Sequence, residues 1–176
     1  MKYKNCYRTK EIFSDIILTS DGEHLTGLFF AGNKDVDEKV EKIEEKDLAI
    51  FEETKRWLDT YFDGKIPKFT LKYKIDNLTP FRKEVLETVS AIPYGRTITY
   101  GEIARKIAEK HNISRMSAQA VGAAVGFNPI SIIVPCHRVI GSDGSPVGYG
   151  GGIDNKMELL KLEKAVVTGD GCVVKY

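Results

Sequence analysis

The sequence predicts an α+β protein: an N-terminal lobe with a small β-sheet and helix, then a mostly helical C-terminal domain containing a helix-turn-helix and a reactive cysteine. Three observations predict it. Residues 1–78 mix short alternating or apolar stretches with one amphipathic segment. From Thr79 onward the pattern changes to short helices with explicit start signals. A continuous apolar run, Ile130-Ser131-Ile132-Ile133-Val134, then ends abruptly at Pro135-Cys136-His137-Arg138.

In the first lobe, Asp15–Thr19 and His24–Phe30 read as strands joined by the turn Ser20-Asp21-Gly22. Residues 33–46 are charged and poor in apolar side chains, which suits an exposed connection or a helix approach. Leu48, Phe51, Leu58, Tyr61 and Phe62 recur at roughly helical spacing, so a helix is expected over 47–62. Lys68–Ile75 alternates polar with apolar and predicts another strand. No catalytic constellation is visible up to Leu78, and the lobe reads as a scaffold.

The domain at 79–176 opens on Thr79-Pro80, a helix N-cap followed by proline at the first helical position. Phe81, Val85, Leu86 and Val89 form the apolar face of that helix, which Ile92-Pro93-Tyr94-Gly95 stops. Thr99-Tyr100-Gly101-Glu102 matches a capping box and opens a helix over Tyr100–Lys110. A third helix is expected over Arg115–Val125, and the pair makes a helix-turn-helix candidate. Ala118, Ala120, Gly122, Ala123 and Ala124 leave this helix nearly without bulk. Small residues permit close approach, either of a neighbouring helix or of a DNA groove. The Ile130–Val134 run predicts a buried strand ended by the proline, with a thiol next in line. A free cysteine is often merely buried, so Cys136 alone leaves structural and nucleophilic roles both open.

Composition sets outer limits. The chain has 176 residues, a net charge of +1, 42% apolar and 29% charged side chains, as in ordinary globular proteins. No apolar stretch approaches the ~20 residues of a membrane helix, and the N-terminus lacks a signal-peptide core. A cytoplasmic protein with no membrane partner is the expectation. Cys6, Cys136 and Cys172 are odd in number and far apart, which argues against a disulfide framework. With only His24, His111 and His137 and no C-x-x-C pair, no metal site is expected. Residues 79–140 carry 8 basic against 4 acidic side chains, whereas 1–78 carry 14 against 16. That bias is compatible with a short nucleic-acid contact and equally with a solvated surface.

Ile92-Pro93-Tyr94-Gly95, Thr99-Tyr100-Gly101-Glu102, Ala118-Gln119-Ala120-Val121-Gly122, Asn128-Pro129, Pro135-Cys136-His137-Arg138-Val139-Ile140 and Gly148-Tyr149-Gly150-Gly151-Gly152 stand in this order. Together they closely resemble the O6-alkylguanine-DNA alkyltransferases, over about residues 79–165 and only loosely before that. The resemblance implies repair of double-stranded DNA containing O6-alkylguanine, and of O4-alkylthymine as a second lesion. The alkyl group would move directly and irreversibly to Cys136, with no cofactor and once per molecule, on a monomer.

The resemblance also implies roles. Cys136 is the nucleophile, His137 its base through a bridging water, and Glu163 the carboxylate behind the histidine. A bridging water also suits the residues, since adjacent side chains on an extended segment point opposite ways. Tyr100 would donate to the leaving guanine and turn the target phosphodiester, and Asn128 would tie the helix-turn-helix to the cysteine turn. Val139, Tyr149 and the amide of Gly150 would form the base pocket. Arg138 is expected in a structural ion pair outside the catalytic set. Ala118, Gln119 and Arg115 would meet the DNA minor groove. One departure stands out: Gln119 occupies the position of the family's space-filling arginine, so the cation is expected from Arg115, one turn earlier.

Three other readings are weighed. A non-catalytic lesion-binding protein would lack the cysteine, which is present here. A regulator signalling through alkylated Cys136 would need further DNA-binding or metal-binding sequence. A Cys/His hydrolase would leave the helical block unexplained.

Overall fold

The chain divides into two compact units, Met1–Asp76 and Asn77–Tyr176, and the computed structural model describes residues 2–10 and 12–165. The first unit is built on four strands, β1 (Tyr3–Tyr7), β2 (Ile16–Ser20), β3 (Leu25–Phe30) and β4 (Glu44–Glu45). Their order is β3-β2-β1-β4, antiparallel except for the parallel β1–β4 pair. Helix α1 (Lys34–Glu41) starts at Asn33, whose side chain accepts the Asp35 N–H. Helix α2 (Ala49–Phe62) lays Ile50, Phe51, Leu58, Tyr61 and Phe62 into the core beside Ile16 and Leu18 of β2. Each such fully buried side chain contributes roughly 1.5–3 kcal/mol of transfer free energy.

Two expectations in this unit need correction. Residues 33–46 hold a capped helix and a short strand rather than a connection. Residues 68–75 form no strand beyond one bridge, Tyr73 against Leu25, closed by Leu25 N–H to Lys72 O and Lys74 N–H to Leu25 O at 2.9 Å each. Alternation alone could not supply a pairing edge over its full length. Strand β1 was not legible, because its run Tyr-Lys-Asn-Cys-Tyr is polar; the buried Asn5 amide instead donates to Lys46 O and Asp47 Oδ1.

The second unit packs α3 (Pro80–Ser90), α4 (Tyr100–Lys110) and α5 (Ala118–Gly126) against one another through Val85, Val89, Ile103, Ile107, Val121 and Val125, all buried. The Thr79 hydroxyl accepts the Arg82 N–H, and the Thr99–Glu102 capping box is fully formed. Strands β5 (Ile98–Thr99) and β6 (Val139–Ile140) pair in parallel, and α6 (Ile153–Leu162) buries Leu159 and Leu160, the latter clustered with Ile140 and Ala165. Among the described residues no helix is long and apolar enough to cross a membrane.

Here too two expectations fail. The third helix begins at Ala118, capped by the Ser117 hydroxyl, so Arg115 lies in the preceding loop rather than one helical turn before Gln119. The Ile130–Val134 run is a buried turn, not a strand. Ile133 N–H bonds Ser131 O and Val134 N–H bonds Ile130 O, bending the chain back on itself. Ile132 sits at φ 69°, a left-handed conformation that costs a β-branched residue on the order of 1–3 kcal/mol. An apolar run reports burial but not backbone geometry.

Candidate active site

The cysteine turn is held from inside by one side chain. Asn128, just past the end of α5, accepts the Ile130 N–H at 3.0 Å and donates to Val134 O at 2.9 Å. Its amide also donates to the Cys136 sulfur at 3.1 Å. The same group therefore folds the turn and grips the thiol. Cys136 is 6% exposed and opens a single 3-10 turn, Cys136–Arg138, so the extended geometry expected around it is not found. Burial pushes its thiol pKa up, opposed by the Asn128 donor, the positive charge of Lys156 and a hydrogen bond from Ser131.

Behind the thiol lies a buried ionic cluster. His137 Nε2 is 2.8 Å from Glu163 Oε1, and Glu163 caps α6 at 2% exposure. Arg138 grips both oxygens of the same carboxylate, Nε to Oε2 and Nη2 to Oε1, each at 2.8 Å. Its remaining arm donates to Ile92 O at 2.6 Å, and Gly95 N–H donates to Glu163 Oε2 at 3.0 Å. Burial works against the Glu163 charge, but His137 and Arg138 outweigh it and hold the carboxyl far below its usual range. Burial conversely lowers the His137 pKa in spite of Glu163, so the ring is neutral near pH 7. An ionised carboxylate can only accept, which places the histidine proton on Nε2 and leaves Nδ1 as the basic nitrogen.

Tyr100 begins α4 and donates its hydroxyl to Val147 O at 3.1 Å and, more weakly, to Gly148 O at 3.4 Å. Burial lifts its pKa to about 12, so it stays a proton donor at neutral pH. The backbone of Gly122 in α5 passes beside this ring, since a Cβ there would lie 3.8 Å from it. Gln119, one turn earlier, shares that helix face, and with Ala118 it is exposed, as is Arg115 in its loop. Val139 is buried in β6, Tyr149 sits edge-on to His137 with centroids 6.5 Å apart, and Gly150 lies on the exposed loop. Of the sequence-predicted residues, Asn128, His137 and Glu163 thus form a buried set with Cys136, Tyr149 stands half-buried against His137, and Gly150, Ala118, Gln119 and Arg115 are exposed.

Two contributors, Lys156 and Gly95, were missed. Lys156 is fully buried and donates to Val139 O at 2.7 Å and Val147 O at 2.8 Å, tying the strand after the cysteine to the Tyr149 loop. Desolvation lowers its pKa to about 8. The available signal was positional: residues 156, 159, 160 and 163 share one helical stripe, and two of them are charged. Ser131 lies beside Cys136 and Tyr149 and works against the burial that raises both pKa values. Gly95, at φ 73°, has no room for a side chain, because a Cβ would approach Glu163 O to 2.7 Å. Gly95→Ala is expected to destabilise the second unit by about 1–3 kcal/mol, read as a lowered denaturant midpoint with an unchanged slope. An unshifted midpoint would mean that the turn relaxes freely.

Among the described residues no group of three or more His, Cys, Asp or Glu side chains is arranged to hold a metal. Cys6 is a free thiol in the first unit, and Cys172 lies outside the described residues.

The chain was compared with known proteins. Residues 80–165 match the family model described as 6-O-methylguanine DNA methyltransferase, DNA binding domain. Residues 9–75 match the ribonuclease-like domain of the same proteins. A methylated-DNA–protein-cysteine methyltransferase of Methanosarcina barkeri is 43% identical over 150 residues, covering 85% of this chain and 90% of the relative. The Mycobacterium leprae protein of that name is 38% identical over 160 residues, covering 91% and 92%. Among solved structures, the O6-methylguanine methyltransferase of Mycobacterium tuberculosis superposes with a TM-score of 0.78 at 36% identity, covering 93% of each chain. The M. tuberculosis protein in complex with DNA gives 0.73 at 35% identity, covering 93% of this chain and 92% of that one. With both halves matched in order and the relatives covered nearly end to end, this chain belongs to the methylated-DNA–protein-cysteine methyltransferase family.

Proposed function

We propose that this chain repairs DNA by moving the O6-alkyl group of alkylated guanine, and the O4-alkyl group of thymine, onto Cys136. The observation that carries the reading is the buried thiol held by Asn128 next to the His137–Glu163–Arg138 cluster. A thiol raised by burial is a poor nucleophile until its proton is removed. Nδ1 of His137 takes that proton through a bridging water, and Glu163 stabilises the imidazolium. The thiolate then attacks the alkyl carbon, an S–C bond forms and the C–O bond breaks with its electrons going to O6. Tyr100 donates to the guanine as that charge develops. The thioether has no route back, so each molecule acts once and needs no cofactor.

The lesion must leave the base stack to reach a buried thiol. Val139, Tyr149 and the Gly150 amide then line the base pocket. Ala118 and Gln119 meet the minor groove, Gln119 filling the gap, while exposed Arg115 reaches a phosphate. The protein works as a monomer in the cytoplasm, where free thiols such as Cys6 and Cys136 persist reduced.

The test is peptide mass spectrometry after mixing with duplex DNA carrying one O6-methylguanine. One methyl on the Cys136 peptide, never exceeding one per molecule, is the expected result. Tight lesion binding without a mass change would overturn transfer in favour of a lesion-binding protein. Gln119→Ala is expected to slow repair of duplex DNA by about tenfold or more while leaving reaction with free O6-benzylguanine nearly unchanged. Equal slowing of both, followed by single-turnover kinetics, would remove Gln119 from the groove.

A further inference from the structure

A cavity of about 530 Å³ lies in the second unit, bounded by the end of α3, the 92–98 turn and the outer face of α4. Its volume falls within the ~300–1,000 Å³ typical of small-molecule sites. Its lining has four features. Ala91, Ile92 and Ile98 give an apolar floor. Arg96, Arg105 and Lys106 supply three cations, the last two adjacent on one α4 face. Glu102 and Glu109 oppose them, but one Glu102 oxygen already accepts the Thr99 N–H and hydroxyl at 2.7 Å each.

The fourth feature is Thr97. It lines the cavity and is 8% exposed, yet its buried hydroxyl has no hydrogen-bond partner among the described residues. A buried hydroxyl left unmatched is uncommon and costly, on the order of 1–3 kcal/mol. Guanidinium groups match phosphate oxygens in paired geometry, and a lysine adds a mobile point charge. An apolar floor in turn suits a flat ring. None of these residues takes part in the chemistry at Cys136.

We propose that this cavity binds a small phosphate monoester of nucleotide size, its phosphate on Arg105 and Lys106 and its ring on the Ile92–Ile98 floor, within reach of the Thr97 hydroxyl. The ligand chemistry has two sources, a mononucleotide or inorganic phosphate, and both are probed. Isotope-labelled protein is titrated with AMP, with inorganic phosphate and with adenosine at constant ionic strength, following backbone amide shifts.

AMP is expected to produce saturable shifts at Thr97, Arg105 and Lys106, with adenosine weaker by about tenfold or more. The double variant R105A/K106A should weaken AMP by a similar factor while still accepting one alkyl group at Cys136. Thr97→Val, close in shape, should weaken AMP several-fold while its melting temperature stays the same or rises, since the unmatched hydroxyl is removed. Inorganic phosphate saturating as tightly as AMP would support the phosphate contact and assign the site to the free ion. Absence of saturation at millimolar AMP, equal binding of adenosine, unchanged binding in the double variant, or shifts centred on Cys136 would each overturn the proposal.

Discussion

Cys136→Ser is expected to abolish alkyl transfer while leaving binding to O6-methylguanine DNA in place. The substitution removes one atom type and keeps the shape. Asn128 Nδ2 can still donate to the new oxygen, so the turn that it organises through Ile130 and Val134 should persist. What is lost is nucleophilicity, because a serine hydroxyl does not ionise usefully beside a neutral histidine. A fall of at least about a thousandfold in single-turnover rate is expected, with stability changed by about 1 kcal/mol or less. Mass spectrometry for the rate and gel mobility for binding check the two halves separately. A methyl still found on the variant would move the acceptor to another thiol such as Cys6.

Glu163→Gln is expected to damage both chemistry and stability. The carboxylate holds His137 by Nε2 and neutralises Arg138 in a buried site. A glutamine amide can donate to Nε2, which stabilises the tautomer with its proton on Nδ1 and removes the base. A loss of about 10²–10⁴ in transfer rate follows. Arg138 would also be left buried without its counter-ion, at a cost of about 3–5 kcal/mol. Arg138 still holds Ile92 O, so the fold should survive in weakened form. Reaction of the folded variant with iodoacetamide separates the two losses: the thiol should remain alkylatable at high pH while DNA repair stays slow. Repair at wild-type rate would dismiss Glu163 as part of the relay.

The same pair contributes to the acid response. Because the folded His137 pKa lies below 6.5, the unfolded chain takes up a proton there that the folded protein refuses, so stability falls as pH drops below about 6.5. Glu163 is held below its ordinary 4.5, so its contribution is complete above that value and is lost as pH falls further. Glu163→Gln should therefore show a shallower fall in melting temperature below pH 4.5 than the unaltered protein, the remaining fall coming from Asp21, Asp63 and Glu84, whose carboxyls are also held low by hydrogen bonds.

The capped helices were readable because their signals are local. Thr79-Pro80 and Thr99–Glu102 act over three or four residues, and the structure forms both caps where the letters place them. The third helix was misplaced because Ser117, not the segment at Arg115, supplies the cap. The Ile130–Val134 run misled for a different reason. Its apolar letters correctly announce burial, but its bend is imposed by an asparagine side chain and a left-handed isoleucine, neither of which has a periodic signature.

By itself the sequence determined the α+β class, the helix starts, the thiol at the centre and the family whose motifs surround it. These rest on short-range chemistry and on residues standing in a recognisable order. Only the tertiary structure decided what gives Cys136 its setting. Glu163 meets His137 across 26 residues of chain, Arg138 meets Ile92 across 46, and Gly95 meets Glu163 across 68. Lys156 becomes a strut only because α6 buries it against Val139 and Val147. Contacts over such separations depend on how whole elements pack, and burial of the charges then sets their protonation, which no local pattern of letters encodes.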